Sequence, residues 1–203
     1  ELAEEAIAAG AEVHEGEDHA DDDGHEHDGG DPHLWMSVDN ALLYAAVIRD
    51  RLSEVDPAGV AEYAANYDDY ASALQEVGAE LLEKAGAVPE EHRKLITTHD
   101  AFGYFADYIG FEIEAFVAAG PGQDTSPDQI AGIISAIEES GIPAVFTEPQ
   151  ISSESETLEQ AAADAGADVC KLYSDSLDDE VKGYLDLMRF NAAEIARCLG
   201  AGQ

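Results

Sequence analysis

Short apolar runs alternate with amphipathic segments over the second half of the chain, and no other feature limits the fold as strongly. The amphipathic segments repeat their apolar residues at helical spacing, whereas the runs between them are too short for helices. Strands that alternate with helices build parallel sheets with crossover helices. We therefore predict an α/β fold with a parallel sheet and with strands at 95–98, 113–117, 143–147 and 168–173.

A long apolar seam precedes this region. Between residues 60 and 81, apolar side chains recur in alternating steps of three and four, which predicts a helix. Asp56-Pro57 begins it, and proline is well suited to the first turn of a helix. A helix of about 28 residues would be roughly 40 Å long. The expected parts are the remainder of an N-terminal lobe at 1–56, a linking helix at 57–88 and a C-terminal α/β lobe at 89–203.

The N-terminal part predicts two helices and a loop of low complexity. One helix ends at Gly10, residues 11–13 predict a short strand, and the other helix begins near Ser37. Residues 14–32 consist almost entirely of aspartate, glutamate, histidine and glycine without periodicity, which is typical of a solvated loop. The loop contains His14, His19, His25 and His27.

The charge of the chain is strongly acidic. There are 45 aspartates and glutamates against 9 lysines and arginines, so the net charge is −36. Phosphate binding needs the opposite sign, and nucleic acid is therefore not an expected partner. Acid spread over amphipathic segments is typical of proteins in concentrated salt, where screening reduces self-repulsion. We interpret the charge as a sign of a high-salt environment.

Side chains that can bind a metal follow three of the predicted strands. His99 and Asp100 follow the first strand, Glu148 the third and Asp175 the fourth. In an open parallel sheet, ligands bind beyond the carboxyl ends of the strands. His33 lies outside this lobe, so its participation would require a site between two lobes. Two histidines and one carboxylate suit Zn²⁺ or Mn²⁺.

Four motifs in order strengthen this hypothesis. They are Asp31-Pro32-His33-Leu34-Trp35, Thr98-His99-Asp100-Ala101-Phe102-Gly103-Tyr104-Phe105, Thr147-Glu148-Pro149-Gln150 and Tyr173-Ser174-Asp175-Ser176-Leu177. Over about residues 1–199, the chain resembles the metal-binding solute receptors of zinc and manganese ABC importers, the cluster A-I family. The resemblance implies two parallel-sheet lobes joined by a long backbone helix, with the metal in the cleft. It implies His33, His99 and Asp175 as metal ligands.

The chain also departs from the family pattern in its N-terminal part. Family members carry another histidine ligand early in the N-terminal lobe, and we expect this chain to begin after it, with that lobe incomplete. The histidines of the 14–32 loop match the acid-rich loop of the zinc-preferring branch, where they either take part in metal capture or bind metal only weakly. His99 favours Zn²⁺, because manganese receptors usually have glutamate there. We expect Glu148 and Asp100 to support the ligands or to join them.

Zinc-type receptors often have a disulfide where this chain has Cys170 and Cys198, so the resemblance implies that these two cysteines are bonded. A disulfide agrees with an oxidising, extracytoplasmic location. The expected protein is a monomeric zinc receptor, not an enzyme, that delivers Zn²⁺ to an ABC permease. It would be peripheral to the membrane, through a lipid anchor upstream of this chain.

Three alternatives remain. A manganese receptor of the same family would use the same positions. A zinc-dependent hydrolase would need an open coordination position and a base such as Glu148 or Asp100, but no HExxH pair is present. A metal buffer would use only the histidine-rich loop.

Overall fold

The computed structural model describes residues 2–14, 31–118, 120, 122 and 125–200. It divides into two compact units, Glu1–Gln75 and Glu76–Gln203. No helix among these described residues combines the length and the apolar character that crossing a membrane requires.

The first unit is helical over its described residues. It contains α1 (Leu2–Ala8), α2 (Val38–Val55) and the beginning of α3 (Val60–Gly86). α1 packs against α2, and Arg51 of α2 binds Glu5 of α1 through two hydrogen bonds of 2.8 and 2.6 Å. A 3-10 turn at Leu34–Met36 precedes α2 and buries Leu34 and Met36. This turn joins the histidine-rich loop to the helices.

Residues 11–13 do not form a strand, so this prediction is wrong. The side chain of Asn40 instead takes up the backbone of Glu12: the Glu12 N–H donates to Asn40 Oδ1 at 3.1 Å, and Asn40 Nδ2 donates to the Glu12 carbonyl at 3.3 Å. A buried amide side chain offers one acceptor and donors of its own, as a neighbouring strand would. The backbone of Glu12 is therefore satisfied without a ladder.

The long helix is confirmed. α3 has 27 residues and follows a 3-10 turn at Pro57–Gly59. Its apolar seam is fully buried at Leu74, Val77 and Leu81, whereas Val60 and Tyr70 are 44% and 39% exposed. The buried part of the seam is therefore its later part.

A four-stranded parallel sheet forms the centre of the second unit, and the α/β class is confirmed. The strands lie in the order β2-β1-β3-β4, which correspond to Glu112–Ala118, Lys94–His99, Ala144–Thr147 and Asp168–Lys171. The central strands β1 and β3 are buried along most of their length, and the outer strands are partly exposed. The carboxyl ends of parallel strands lie at one edge, which places His99 and the residues after β3 and β4 together.

Helices follow each strand of this sheet. They are α4 (Gly103–Ile109), α5 (Pro127–Ser140), α6 (Ser152–Ala165) and α7 (Tyr184–Leu199). α5 begins with a capping box between Ser126 and Gln129, and its proline occupies the first turn. α4 ends at Gly110, whose φ of +75° is in the left-handed region that glycine adopts without strain.

The helical spacing of apolar residues predicts a last helix over 178–199, but α7 begins six residues later, at Tyr184. Oδ1 of Asp178 accepts hydrogen bonds from the backbone N–H groups of Glu180 and Val181, at 2.8 and 3.0 Å. A short acidic side chain that binds the following backbone in this way competes with helix formation. The segment therefore forms a turn before α7.

The predicted disulfide between Cys170 and Cys198 is present. It joins β4 to the end of α7 and closes a loop with a sequence separation of 28. On the chain-entropy model, a cross-link over a loop of this length stabilises the fold by about 3–4 kcal/mol. The bond thus holds α7 against the strand that leads to Asp175.

Candidate metal centre

His99 lies at the end of β1, and its side chain is only 1% exposed. Its Nδ1 is 2.6 Å from Oε2 of Glu148, and its Nε2 is 3.4 Å from Oδ2 of Asp175. Metal-binding histidines usually donate their second ring nitrogen to a carboxylate or a carbonyl, which sets the tautomer and orientation of the ring. Glu148 engages Nδ1, so Nε2 is the nitrogen that can bind a metal.

The two carboxylates change the protonation of His99. Burial by itself lowers the pKa of the imidazole, but hydrogen bonds and charge attraction from Asp175 and Glu148 outweigh burial and raise the pKa to about 9. A metal ion binds the neutral imidazole and must displace this proton. A metal ion bound at Nε2 of His99 would therefore compete with a proton for this nitrogen, which lies beside the carboxylate of Asp175.

Glu148 follows β3 and is 1% exposed. Its carboxylate accepts hydrogen bonds from the hydroxyls of Thr98 and Ser174, and from Nε2 of Gln150 at 3.1 Å, in addition to the contact with His99. Both of its oxygens are thus engaged by protein donors. Ser174 directly precedes Asp175, so Glu148 is bonded both to His99 and to the segment that carries Asp175.

Asp175 lies beyond β4, and its side chain is 34% exposed. The preceding Tyr173 and Ser174 are buried. The backbone of Tyr173 is held by the side chain of Asn191, with hydrogen bonds of 2.9 and 2.7 Å. The carboxylate of Asp175 is therefore partly solvated, while the backbone that carries it is fixed within the unit.

His33 lies in the first unit, immediately before the 3-10 turn at Leu34–Met36. Oδ1 of Asp31 is 2.7 Å from Nδ1 of His33 and accepts a second hydrogen bond of 2.9 Å from the His33 backbone N–H. The ring of Trp35 packs edge-on against the imidazole at 5.4 Å. As in His99, a carboxylate engages Nδ1, and Nε2 is the nitrogen suited to a metal.

Asp100 and the histidines of the 14–32 loop are the other predicted site residues. Asp100 directly follows His99 and is half-buried. His14 is also half-buried, and its carbonyl accepts a hydrogen bond of 3.2 Å from the backbone N–H of Asp31. The other histidines of the loop, His19, His25 and His27, lie outside the described residues.

Several residues around these side chains had not been predicted. Asp31 could have been recognised, because an aspartate two residues before a candidate ligand can reach back to its ring. Thr98, Ser174 and Asn191 had no such signal, since their partners are 50, 26 and 18 residues away in sequence. Distant hydrogen-bond partners are set by tertiary packing and leave no local pattern.

Comparison with known families decides the class of the protein. Residues 1–198 match the family model described as "Zinc-uptake complex component A periplasmic". The chain belongs to this zinc-uptake component A family. The resemblance to metal-binding receptors is thereby confirmed. The relatives of the chain are named as metal-binding proteins, which agrees with a receptor and gives no support to the hydrolase alternative.

Curated relatives of this component A chain are named for different metals. It is 36% identical over 173 residues to the "Iron-binding protein YfeA" of Yersinia pestis. The aligned residues cover 83% of this chain and 55% of that protein. It is 33% identical over 170 residues to the "Manganese-binding lipoprotein MntA" of Halalkalibacterium halodurans. The aligned residues cover 82% of this chain and 56% of that protein. The chain thus spans about half the length of these relatives.

Solved structures agree with this assignment. The periplasmic zinc binding protein TroA from Treponema pallidum superposes with a TM-score of 0.81 at 25% identity, covering 98% of this chain and 70% of that one. The Mn-bound periplasmic metal binding protein from Candidatus Liberibacter asiaticus superposes with a TM-score of 0.73 at 29% identity, covering 86% of this chain and 66% of that one. The component A fold is therefore shared by proteins named for zinc and by proteins solved with manganese.

Proposed function

We propose that the protein is an extracytoplasmic metal receptor that binds one divalent ion, with Zn²⁺ preferred, and delivers it to an ABC import permease. The observation that carries the proposal is the arrangement of His99 in the second unit. Glu148 holds its Nδ1 at 2.6 Å, and its Nε2 is 3.4 Å from the carboxylate of Asp175. A buried imidazole of fixed orientation beside a carboxylate is suited to holding a divalent metal.

His33 is the proposed third ligand. Its Nδ1 is bonded to Asp31 at 2.7 Å, in the same way that Nδ1 of His99 is bonded to Glu148. A metal-binding imidazole gains basicity and a fixed orientation from such a carboxylate partner. The ligand set His33, His99 and Asp175 therefore rests on two similar imidazole–carboxylate pairs and one further carboxylate.

Zn²⁺ is the proposed cargo because two of these three donors are imidazoles, and Mn²⁺ prefers oxygen donors. Mn²⁺ is the alternative, in line with the names of the relatives. In the proposed role, Glu148 supports His99 and does not bind the metal, since its oxygens are already engaged. Asp100 directly follows His99 and is half-buried, and its proposed role is to support the ligands or to join them.

The histidine-rich loop has a proposed accessory role. His14, His19, His25 and His27 would bind Zn²⁺ weakly, because ordering a long polar loop on binding costs conformational entropy and limits its affinity. The alternative is a metal buffer that uses the loop alone. We also propose a monomer, held at the membrane by a lipid anchor, in keeping with the lipoprotein relatives.

The metal site is tested by titrating the chain with Zn²⁺ and Mn²⁺ against a chromophoric chelator. We expect one tight Zn²⁺ site per chain, with Mn²⁺ displaced at equal concentration, since the nitrogen donors favour zinc. A variant that lacks residues 15–30 should keep this site and lose only weak binding. Loss of the tight site on deletion would support the buffer instead, and equal competition by Mn²⁺ would support the manganese receptor.

The charge supports a high-salt environment, and this too is a proposal. At a net charge of −36, repulsion destabilises the compact state, and salt shortens the range of that repulsion. We therefore expect the melting temperature of the metal-free protein to rise as NaCl increases from about 0.1 M to about 2 M. A melting temperature that is constant or falls over this range, measured by circular dichroism, would contradict the proposal.

A further inference from the structure

Asn191 makes an unusual contact in the second unit. It lies on α7, has no exposed surface, and uses its side-chain amide on the backbone of a single residue, Tyr173. Its Oδ1 accepts from the Tyr173 N–H at 2.9 Å, and its Nδ2 donates to the Tyr173 carbonyl at 2.7 Å. Both backbone groups of Tyr173 are therefore satisfied by one side chain.

This contact lies where the chain leaves the sheet. β4 ends at Lys171, and the N–H of Leu172 makes a further hydrogen bond of 2.9 Å to the carbonyl of Thr147. At Tyr173, the side chain of Asn191 supplies the hydrogen bonds that a neighbouring strand would otherwise make. Without it, two buried backbone groups would lose their hydrogen bonds, which is strongly unfavourable in a protein interior.

Asp175 follows two residues later, and the segment before it is held from several sides. The ring of Tyr173 packs edge-on against Phe190 of α7 at 5.0 Å, and its hydroxyl donates to Asp178 at 2.7 Å. The buried Ser174 donates to Glu148. The position of the Asp175 carboxylate, 3.4 Å from Nε2 of His99, thus depends on a backbone that α7 and Glu148 hold together.

α7 is itself anchored to the same strand. The disulfide between Cys198 and Cys170 lies two helical turns beyond Asn191 and ties the end of the helix to β4. Met188 and Ile195, one turn on either side of Asn191, are 0% and 1% exposed. The amide of Asn191 therefore projects from a helix whose position relative to β4 is set by a covalent bond and by core packing.

We propose that Asn191 is a positioning residue of the metal site, which fixes the backbone of Tyr173 and thereby holds Asp175 opposite His99. The inference rests on the proposed metal-binding function and deepens it. Asparagine suits this task because it offers both a donor and an acceptor. Aspartate would direct a carboxylate oxygen at the Tyr173 carbonyl, and an aliphatic residue would satisfy neither group. Asn191 acts on the metal only through the backbone.

The test compares Asn191→Ala with Ile195→Ala in the full chain. Ile195 is equally buried on the same helix but makes no hydrogen bond to Tyr173, so its truncation is a matched control for lost stability. Zn²⁺ affinity is measured by chelator competition, and the Co²⁺ d–d absorption spectrum reports the geometry of the site. We expect Asn191→Ala to lower Zn²⁺ affinity by about 10–100-fold, the usual effect of losing a supporting residue, and to change the Co²⁺ spectrum. Ile195→Ala should retain both properties.

Two further measurements complete the test. Amide hydrogen exchange of metal-free protein should show that the Tyr173 N–H is protected in the wild type and in Ile195→Ala, but not in Asn191→Ala. Asn191→Ser, whose uncharged hydroxyl offers one donor or acceptor in place of the amide's two groups, should fold and show an intermediate loss of Zn²⁺ affinity. It serves as the folded variant if Asn191→Ala does not fold.

The outcomes separate this inference from the function on which it rests. Wild type with a tight Zn²⁺ site and an Asn191→Ala variant of unchanged affinity would overturn the role of Asn191 alone. Equal loss of affinity in Ile195→Ala would do the same, because the effect would then follow from stability. Wild type without a tight site would overturn the proposed function, and the inference with it.

Discussion

Replacing His99 by alanine is expected to abolish tight Zn²⁺ binding, with a loss of affinity greater than about 100-fold. The loss of a supporting carboxylate already reduces metal affinity by about 10–100-fold, and the loss of the ligand itself should exceed this. The substitution removes the nitrogen that lies 3.4 Å from Asp175 and leaves Glu148 without its histidine. Metal content after dialysis and chelator competition at pH 8 would measure the effect.

His92→Ala is the matched control for this experiment. His92 also lies in the second unit, is half-buried, and has its Nδ1 at 3.0 Å from the carbonyl of Leu199. It precedes the first residue of β1, whereas His99 is the last residue of that strand. Removal of this histidine should leave Zn²⁺ affinity unchanged. The assignment of His99 would be wrong if both variants kept the wild-type affinity, and circular dichroism would establish that both are folded.

Replacing Glu148 by glutamine is expected to keep the fold and to lower Zn²⁺ affinity by about 10–100-fold. Glutamine has the same shape, but its single oxygen can accept from Thr98, on the Oε2 side, or from Ser174, on the Oε1 side, and not from both. The hydroxyl on the other side can rotate to accept from the amide NH2, which preserves the packing. Glutamine also lacks the negative charge beside Nδ1 of His99. The imidazole would lose its fixed tautomer and part of its basicity, and chelator competition would record the weaker site.

Glu148→Ala should have a larger effect on stability. It removes the acceptor for Thr98, Ser174 and Gln150 as well as the partner of the buried His99. Breaking a buried charged pair by removing one partner destabilises by about 3–5 kcal/mol. Chemical denaturation of the metal-free protein would detect this loss in the free energy of unfolding.

An exposed glutamate provides the comparison for Glu148. Glu138 lies on the exposed side of α5 in the same unit, and Glu138→Gln removes one negative charge without disturbing buried hydrogen bonds. It should retain wild-type Zn²⁺ affinity. If Glu148→Gln also retained wild-type affinity, Glu148 would have only a structural role, and His99 would not depend on its carboxylate.

Local signals in the sequence were sufficient to predict most of the helices and strands. The apolar run 95–98 became β1 at Lys94–His99, and the proline after Asp56 was followed by a helix of 27 residues. These features are determined by neighbours in sequence, such as the period of the apolar residues and the backbone preferences of proline and glycine. The class of fold could be predicted in the same way, because a chain in which strands and helices alternate can pack into only a few architectures.

Two predictions of secondary structure are wrong, and both involve side chains that bind backbone groups. Residues 11–13 had a strand pattern, but the amide of Asn40 occupies the backbone of Glu12. The segment at 178 had a helical pattern, but Asp178 binds the N–H groups of Glu180 and Val181. Apolar periodicity does not register such bonds, because it counts which faces are apolar and not which backbone groups are satisfied.

Local patterns were enough to establish the α/β class, the order of the strands along the chain, and the type of chemistry at the ends of β1, β3 and β4. Three contacts emerged only from the folded chain: Glu148 bonds to both His99 and Ser174, Asp31 engages His33, and Asn191 holds Tyr173. The two groups of features differ in the length scale of the interactions behind them. Backbone preference and apolar periodicity act over a few residues, whereas a buried carboxylate or amide is satisfied by whichever groups packing brings within about 3 Å.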